Sequence, residues 1–428
     1  MKGIGKGLAC LLVGALTLGA TGFVSGSVYA ENAPVVQATL TAQATYTGTA
    51  QGVSHTIEER ENAIGSNVIV RVPVWIEKSG VEGYGTPKFY THGGRLVDDA
   101  LPVGKWSMVS FETTVSLFSD GTTGIVVDVT NCDGYTVKFG EATVTANGIP
   151  ETLLGGATMY MLPSTVAEQN ESFVILTENG KLIVMDGGNY GDGEFLAEFL
   201  LSFKSEVDAW FISHYHSDHI GAAAYILEND LITVNNLYYA FPSKEEHDKY
   251  DGTGRGKEYT KFVAGAENAL NVERPVKGWT KTIDGLTFTA LNSQSYYPVA
   301  GTETAYNYGN NTTIIYRMDA EDGESTLFLG DAGVQLGADV MANNAEMLKG
   351  CRIIQAAHHG QNGVAKAFYQ FVGGDIYLVN APTALWYANL NGTIGSNTTV
   401  TSLENREWFR EVGAVRTIVA MESVKTIQ

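Results

Sequence analysis

Ser213-His214-Tyr215-His216-Ser217-Asp218-His219-Ile220-Gly221 follows the apolar run Ala209-Trp210-Phe211-Ile212 and precedes an Ala-rich stretch, 222–227. The apolar run reads as a buried strand and the Ala-rich stretch as a helix. Alternate side chains of a strand share a face, so His214 and His216 can point the same way. The turn into the helix can bring Asp218 and His219 to the same pocket. Imidazole and carboxylate together suit a borderline divalent ion such as zinc. The competing reading is a cluster of surface polar residues at a strand end, but Asp and His at these four positions serve no packing purpose.

The region around this stretch alternates strand and helix. Phe173-Val174-Ile175-Leu176 and Leu182-Ile183-Val184-Met185 flank Asn179-Gly180, a strong hairpin signal. The second strand ends in Asp186-Gly187-Gly188. The helix pattern over 194–203 puts Phe195, Leu196, Phe199 and Leu200 on one face. This order predicts a layered α/β unit. Further on, a hairpin across Glu321-Asp322-Gly323 ends at Gly330-Asp331. The strand Arg352-Ile353-Ile354-Gln355-Ala356-Ala357 runs into His358-His359-Gly360. Five of the eight histidines thus sit in two clusters at strand ends, with Asp186 and Asp331 in matching places. Rigid strand termini are where such a site is built.

Taken in this order, the residues resemble those of the metallo-β-lactamase superfamily. Its H-x-H-x-D-H signature is written here as His214, His216, Asp218 and His219. Asp186 matches the early Asp, Asp331 the bridging carboxylate, and His358 or His359 the last His. The resemblance covers about 155–428 and implies an αββα sandwich. One position departs from the pattern. The third His is expected after the strand ending at Leu291, where this chain has Asn292-Ser293-Gln294-Ser295. His247, in a charged segment, is read as solvated. One metal position is therefore expected to have only His214, His216 and Asp331, the other Asp218 and His219 with one of the later histidines.

Ser-His-x-His-x-Asp-His-Ile-Gly, the pair Asn310-Asn311, Leu-Gly-Asp and His-His-Gly are similar to the metal domain of ComEC-type competence proteins and to pneumococcal-type phosphorylcholine esterase. Both resemblances imply phosphodiester chemistry. The ligand set implies two divalent ions, zinc with manganese or iron as alternatives, bridged by Asp331 and holding a hydroxide. Metal binding brings the pKa of water down to about 7. Asp218, His358 and His359 are the candidate catalytic residues. One of the adjacent histidines is expected to bind metal and the other to contact the phosphate or protonate the leaving oxygen; the sequence does not say which. Asp186 is a candidate acceptor fixing a ligand imidazole, and Asn310 and Asn311 are candidate donors to substrate.

The rest of the chain frames this unit. Lys2 and Lys6, an apolar run over 8–24 and Val28-Tyr29-Ala30 read as a secretory signal over 1–30. Residues 31–51, rich in Ala, Thr and Gln, read as a linker. Short β-branched runs over 52–150, broken by Gly-containing turns, predict a smaller all-β sandwich. Gly104-Lys105-Trp106 is similar to a turn of jelly-roll carbohydrate-binding modules. Tyr84, Tyr90, Trp75 and Trp106 are candidates for stacking on a cell-wall glycan, although aromatics in a sandwich more often belong to its core. His55 and His92 are read as structural or surface residues.

The net charge of −20 repels polyanions at long range and argues against a non-specific nucleic-acid binder. Bound divalent ions reverse the sign locally and keep phosphate-bearing substrates open. Cys132 and Cys351, expected in different domains, make no disulfide framework. No later segment is apolar over the ~18 residues a membrane span needs. The expected protein is a secreted or envelope-associated phosphodiesterase acting on phosphorylcholine-type esters or extracellular nucleic acid. Hydrolysis of a carboxylic ester, lactone or lactam at the same ions is the alternative. A glycan-binding protein with a degenerate metal domain is the non-enzyme alternative.

Overall fold

A computed structural model describes residues 152–166, 168–251, 256–321, 323–387 and 401–428. N-terminal to these it describes 10–13, 38–41, 45–47, 51–56, 67–78, 86–91, 94–114, 116–117, 123–131, 134–146 and 149. Cys132, Tyr84 and His92, and the side chain of His55, lie outside the described residues. The chain divides into two compact units, 1–149 with 413–416, and 150–412 with 417–428.

Among the described residues, the first unit is all β. Its longest strand, Asn67–Lys78, alternates as a half-buried strand must: Val68, Val70, Val72, Val74 and Ile76 are buried. It pairs with Trp106–Thr114, Tyr135–Phe139 and Glu141–Ala146. A second sheet is built on Thr123–Thr130, which pairs with Gln51–Thr56 and Lys88–Thr91. Phe89, Phe111, Phe139 and the inward valines form the core. Within 31–51, read as a linker, Ala38–Thr41 and Thr45–Thr47 are strands of the first sheet. Within 1–30, Cys10–Val13 pairs in parallel with Gln51–Thr56. Trp75, Trp106 and Tyr90 are not core residues. Trp106 is 50% exposed and packs on Trp75 at 5.8 Å, because both occupy the outward register of paired strands.

The second unit stacks two seven-stranded sheets between helices. One runs Asn271–Glu273, Asn236–Tyr238, Ala209–Phe211, Leu182–Met185, Phe173–Leu176, Thr158–Met161 and Lys425–Ile427. The other runs Thr280–Ile283, Leu286–Ala290, Tyr316–Ala320, Ser325–Phe328, Cys351–Gln355, Ile376–Val379 and Arg416–Val419. The sheets meet through aromatics: Phe211 stacks on Phe288 at 4.3 Å, and Phe173 meets Phe328 edge-on at 5.4 Å. Gly193–Leu201, Ser217–Glu228 and Tyr259–Gly265 cover the first sheet through Leu196, Leu200, Ile220, Ile226 and Phe262. On the other side Phe409, in Ser402–Val412, stacks on Tyr377 at 4.1 Å. This is the αββα arrangement. Cys351 is buried with a free thiol. Among the described residues, no helix is long and apolar enough to cross a membrane.

Candidate metal centre

The two histidine clusters meet at the ends of the central strands. The strand Ala209–Phe211 is followed by a short connecting segment that ends at His216, itself extended, and the helix starts at Ser217, earlier than the Ala-rich stretch alone suggests. Asp218 and His219 therefore lie in its first turn. Asp186 follows its strand with φ +55°, and its N–H donates to Phe211 O at 2.8 Å, which binds the two strand ends together.

Asp331 is carried by a turn that demands glycine. Gly330 has φ +48°, and a Cβ there would lie 2.9 Å from the Ser213 side chain. The buried Gln355 braces this turn. Its Oε1 accepts the N–H groups of Leu329 and Gly330, each at 2.6 Å, and its Nε2 donates to Ala356 O at 2.7 Å.

The adjacent histidines are split by backbone conformation. His358 and His359 both have left-handed φ, +53° and +56°, a sparsely populated region for residues with a side chain. The turn is held by the N–H of His358 on Gly330 O at 2.9 Å and that of Ala357 on the Tyr369 hydroxyl at 3.1 Å. It sends His359 fully inside and leaves His358 partly exposed.

Two ligand-competent groups result, each with donor atoms within 4.8 Å of one another: Asp218, His219, Asp331 and His359; and His214, His216 and Asp331. Asp331 belongs to both. Its Oδ1 lies 3.1 Å from His219 Nε2 and 3.6 Å from His359 Nε2, and its Oδ2 3.8 Å from His214 Nε2. His358 is outside both groups. Its Nδ1 donates to Gln361 O at 2.7 Å, and its Nε2 lies 3.5 Å from Asp331 Oδ2.

Asp186 orders the inner wall. It accepts the Ser213 N–H (2.7 Å), the Ser213 hydroxyl (2.7 Å) and the Nδ1–H of His219 (2.8 Å). Ser213 Oγ in turn lies 3.1 Å from His214 Nδ1. His359 Nδ1 donates to Asn380 O at 2.9 Å. His216 Nε2 lies 2.8 Å from Asp251 Oδ2.

The chemistry of this set fits divalent ions. His214 Nε2, His219 Nε2 and Asp331 Oδ1 are buried without a hydrogen-bond partner. Orphaned polar atoms are costly inside a protein, and a cation where they converge would satisfy them. Titration points the same way. Burial, with His219 and His216 nearby, pushes His214 well below the usual imidazole range. Burial opposes charge on His219 too, but Asp331 and Asp186 outweigh it and raise it. In His359 burial is likewise outweighed, by Asp331 and Asp218, and its pKa rises to about 9. Burial would raise Asp331, but the three imidazoles of His219, His358 and His359 hold it well below the usual carboxylate range. Without a metal, protons supply the positive charge these carboxylates require.

Two expectations are corrected. His247 is buried, 3% exposed, between the rings of Tyr215 and Tyr259, each at 4.9 Å. A capping box at Ser243 and Glu246 starts its helix, in which His247 is the buried residue while Lys244 and Asp248 pair in solvent. Asn311 does not offer its amide to substrate. Its Nδ2 donates to Tyr306 O and Gln335 Oε1 at 2.7 and 3.1 Å, bracing the loop. Asn310 is buried with its Oδ1 unpartnered.

The sequence reading missed Gln355, Asp251 and Glu171. Glu171 is buried 3.7 Å from His359 Nδ1, and burial raises its pKa to about 8. No periodicity marks any of the three; Ser213, within the motif, was visible but had no assigned role.

Taken together, the double-sheet scaffold and a carboxylate shared by two ligand groups define a site able to hold divalent ions. The metallo-beta-lactamase superfamily model matches residues 166–288, which hold the motif and the strands around it. Over those residues the chain is similar to the metallo-beta-lactamase superfamily, whose fold supports metal-dependent hydrolases. Among solved structures, yeast PDE1 is 10% identical and aligns over 64% of this chain and 99% of its own, with a TM-score of 0.41. CmlA, a diiron beta-hydroxylase from Streptomyces venezuelae, is 11% identical over 67% of this chain and 55% of its own, at 0.41. Igni18, a metallo hydrolase from Ignicoccus hospitalis, is 13% identical over 63% and 99%, at 0.37. No curated protein sequence matches the chain.

Proposed function

We propose that this chain is an exported phosphodiesterase working with two divalent ions, zinc foremost. The observation that carries the reading is the unequal division of ligands around Asp331. One group holds four side chains, the other three, which leaves coordination room for a phosphoryl oxygen.

Bound divalent ions would supply an activated water nucleophile and neutralise charge on the phosphoryl oxygens. The chain's own residues do the rest. Asp186 and Ser213 hold His219 and His214 with Nε2 facing inward. The turn at 357–360 keeps His359 in the inner wall and His358 at its partly exposed edge. With Nδ1–H held by Gln361 O, His358 can take or return a proton at Nε2, where a leaving oxygen needs one. Burial lowers the pKa of His358, so its charged form is confined to acidic solution.

The acidic surface favours small zwitterionic esters of the phosphorylcholine type over extracellular nucleic acid. The exposed Trp106 and its neighbour Trp75 offer the sandwich a stacking face for a cell-wall glycan; retention of Trp106→Ala on insoluble cell wall at the wild-type level would remove that assignment.

The activity is tested with bis-p-nitrophenyl phosphate against nitrocefin and a lactone, alongside metal analysis. Two ions per chain and phosphodiester turnover abolished by chelator are expected, with Asp331→Asn retaining less than one ion. Turnover of nitrocefin or the lactone alone would overturn the substrate class. N-terminal sequencing of protein recovered outside the cytoplasm tests export, with cleavage after Ala30 expected.

A further inference from the structure

Three of the ligand imidazoles are oriented in one way. His214, His219 and His359 each engage a protein group through Nδ1: Ser213 Oγ at 3.1 Å, Asp186 Oδ2 at 2.8 Å and Asn380 O at 2.9 Å. The nitrogen left facing the site is Nε2. His216 is reversed, since its Nε2 lies 2.8 Å from Asp251 Oδ2 and its free nitrogen is Nδ1.

Packing on the Nε2 side agrees. A Cβ on Gly309 would lie 2.0 Å from His216 Nε2 and 2.5 Å from Asp251 Oδ2, so backbone closes over this contact and leaves no space for an ion. The Tyr215 hydroxyl donates to the same Asp251 oxygen at 3.1 Å. Asp251 itself is not among the side chains grouped with His214, His216 and Asp331.

We propose that Asp251 is the positioning residue of the three-ligand metal position: it accepts the Nε2–H of His216 and thereby presents Nδ1 as the donor atom. The inference rests on the reading of these residues as a metal centre. A carboxylate behind a ligand imidazole fixes its tautomer and ring orientation, which partly offsets the absence of a third histidine. The placement is costly locally, because Asp251 follows the C-terminal end of Lys244–Tyr250, where a negative charge is disfavoured. The His216 and Tyr215 donors offset that cost.

The test uses the full chain loaded with zinc: wild type, Asp251→Asn and Asp251→Ala. Long-range proton–nitrogen NMR of the imidazoles should show one ligand ring bound through Nδ1 with a proton on Nε2, and the others reversed; His216→Ala assigns the odd signal. Chelator competition should show one ion bound about 10- to 100-fold more weakly in Asp251→Ala, the other unchanged. Asp251→Asn, whose amide oxygen still accepts Nε2–H and which guards against a folding defect, should lose less. Ligand rings all bound through Nε2, two ions held at wild-type affinity in Asp251→Ala, or equal losses in Asn and Ala variants would each overturn the proposal. A wild-type chain that takes up no ion would sink the functional reading and this inference with it.

Discussion

At the scale of single residues, the centre is an exercise in holding acids and imidazoles together without water. Asp331 stays ionised among His219, His358 and His359, whereas Glu171, behind His359, is held in its neutral form by burial, with a pKa raised from 4.5 to about 8. The sign of its linkage follows. Below pH 4.5 Glu171 is protonated in both folded and unfolded chains, and its contribution to stability is fully present. Between 4.5 and 8 the unfolded chain loses the proton while the folded chain keeps it, so stability falls as pH rises. Glu171→Gln is permanently neutral and lacks that decline. In chelator-treated protein, the urea midpoint of the variant should therefore gain on the wild type from pH 5 to pH 8. A constant difference would show that Glu171 ionises normally.

At the scale of elements, the short helix Tyr308–Asn311 acts as a plate over one side of the site. Gly309 is its critical position, because any side chain there meets His216 and Asp251. Gly309→Ala should displace His216 and weaken one metal ion by an order of magnitude or more, while the ion held by Asp218, His219 and His359 stays. Titration with a chromophoric chelator checks this, and two ions held as in the wild type would contradict it. The turn at 357–360 is a second such element. Its left-handed residues and the brace from Gln355 give the neighbouring histidines different surroundings, one buried among the ligands and one at the partly exposed edge.

At the scale of the whole molecule, charge governs which substrates arrive. A chain of net charge −20 repels an oligonucleotide, and salt screens that repulsion within a Debye length of about 8 Å at physiological ionic strength. For a short DNA substrate kcat/KM should rise with added potassium chloride, whereas for a zwitterionic phosphodiester it should change little. Steady-state rates from 20 to 300 mM salt test this; a fall for DNA would indicate a local basic path to the site.

The strand-to-helix stretch at 213–221, the acid after each strand and the pair at 358–359 were legible in the sequence, because each is local: ligand-type residues sit where an apolar period ends. So was the layered α/β class, from the alternation of strand and helix. Tertiary structure alone decided which of His358 and His359 enters the ligand group, that His247 is buried between tyrosines, and that Asp251, Glu171 and Gln355 back the centre. Those outcomes depend on contacts between segments far apart in the chain, such as His216 with Asp251 or His359 with Asp218. Such pairings leave no periodicity in the sequence, and the folded sheets alone bring them within hydrogen-bonding distance.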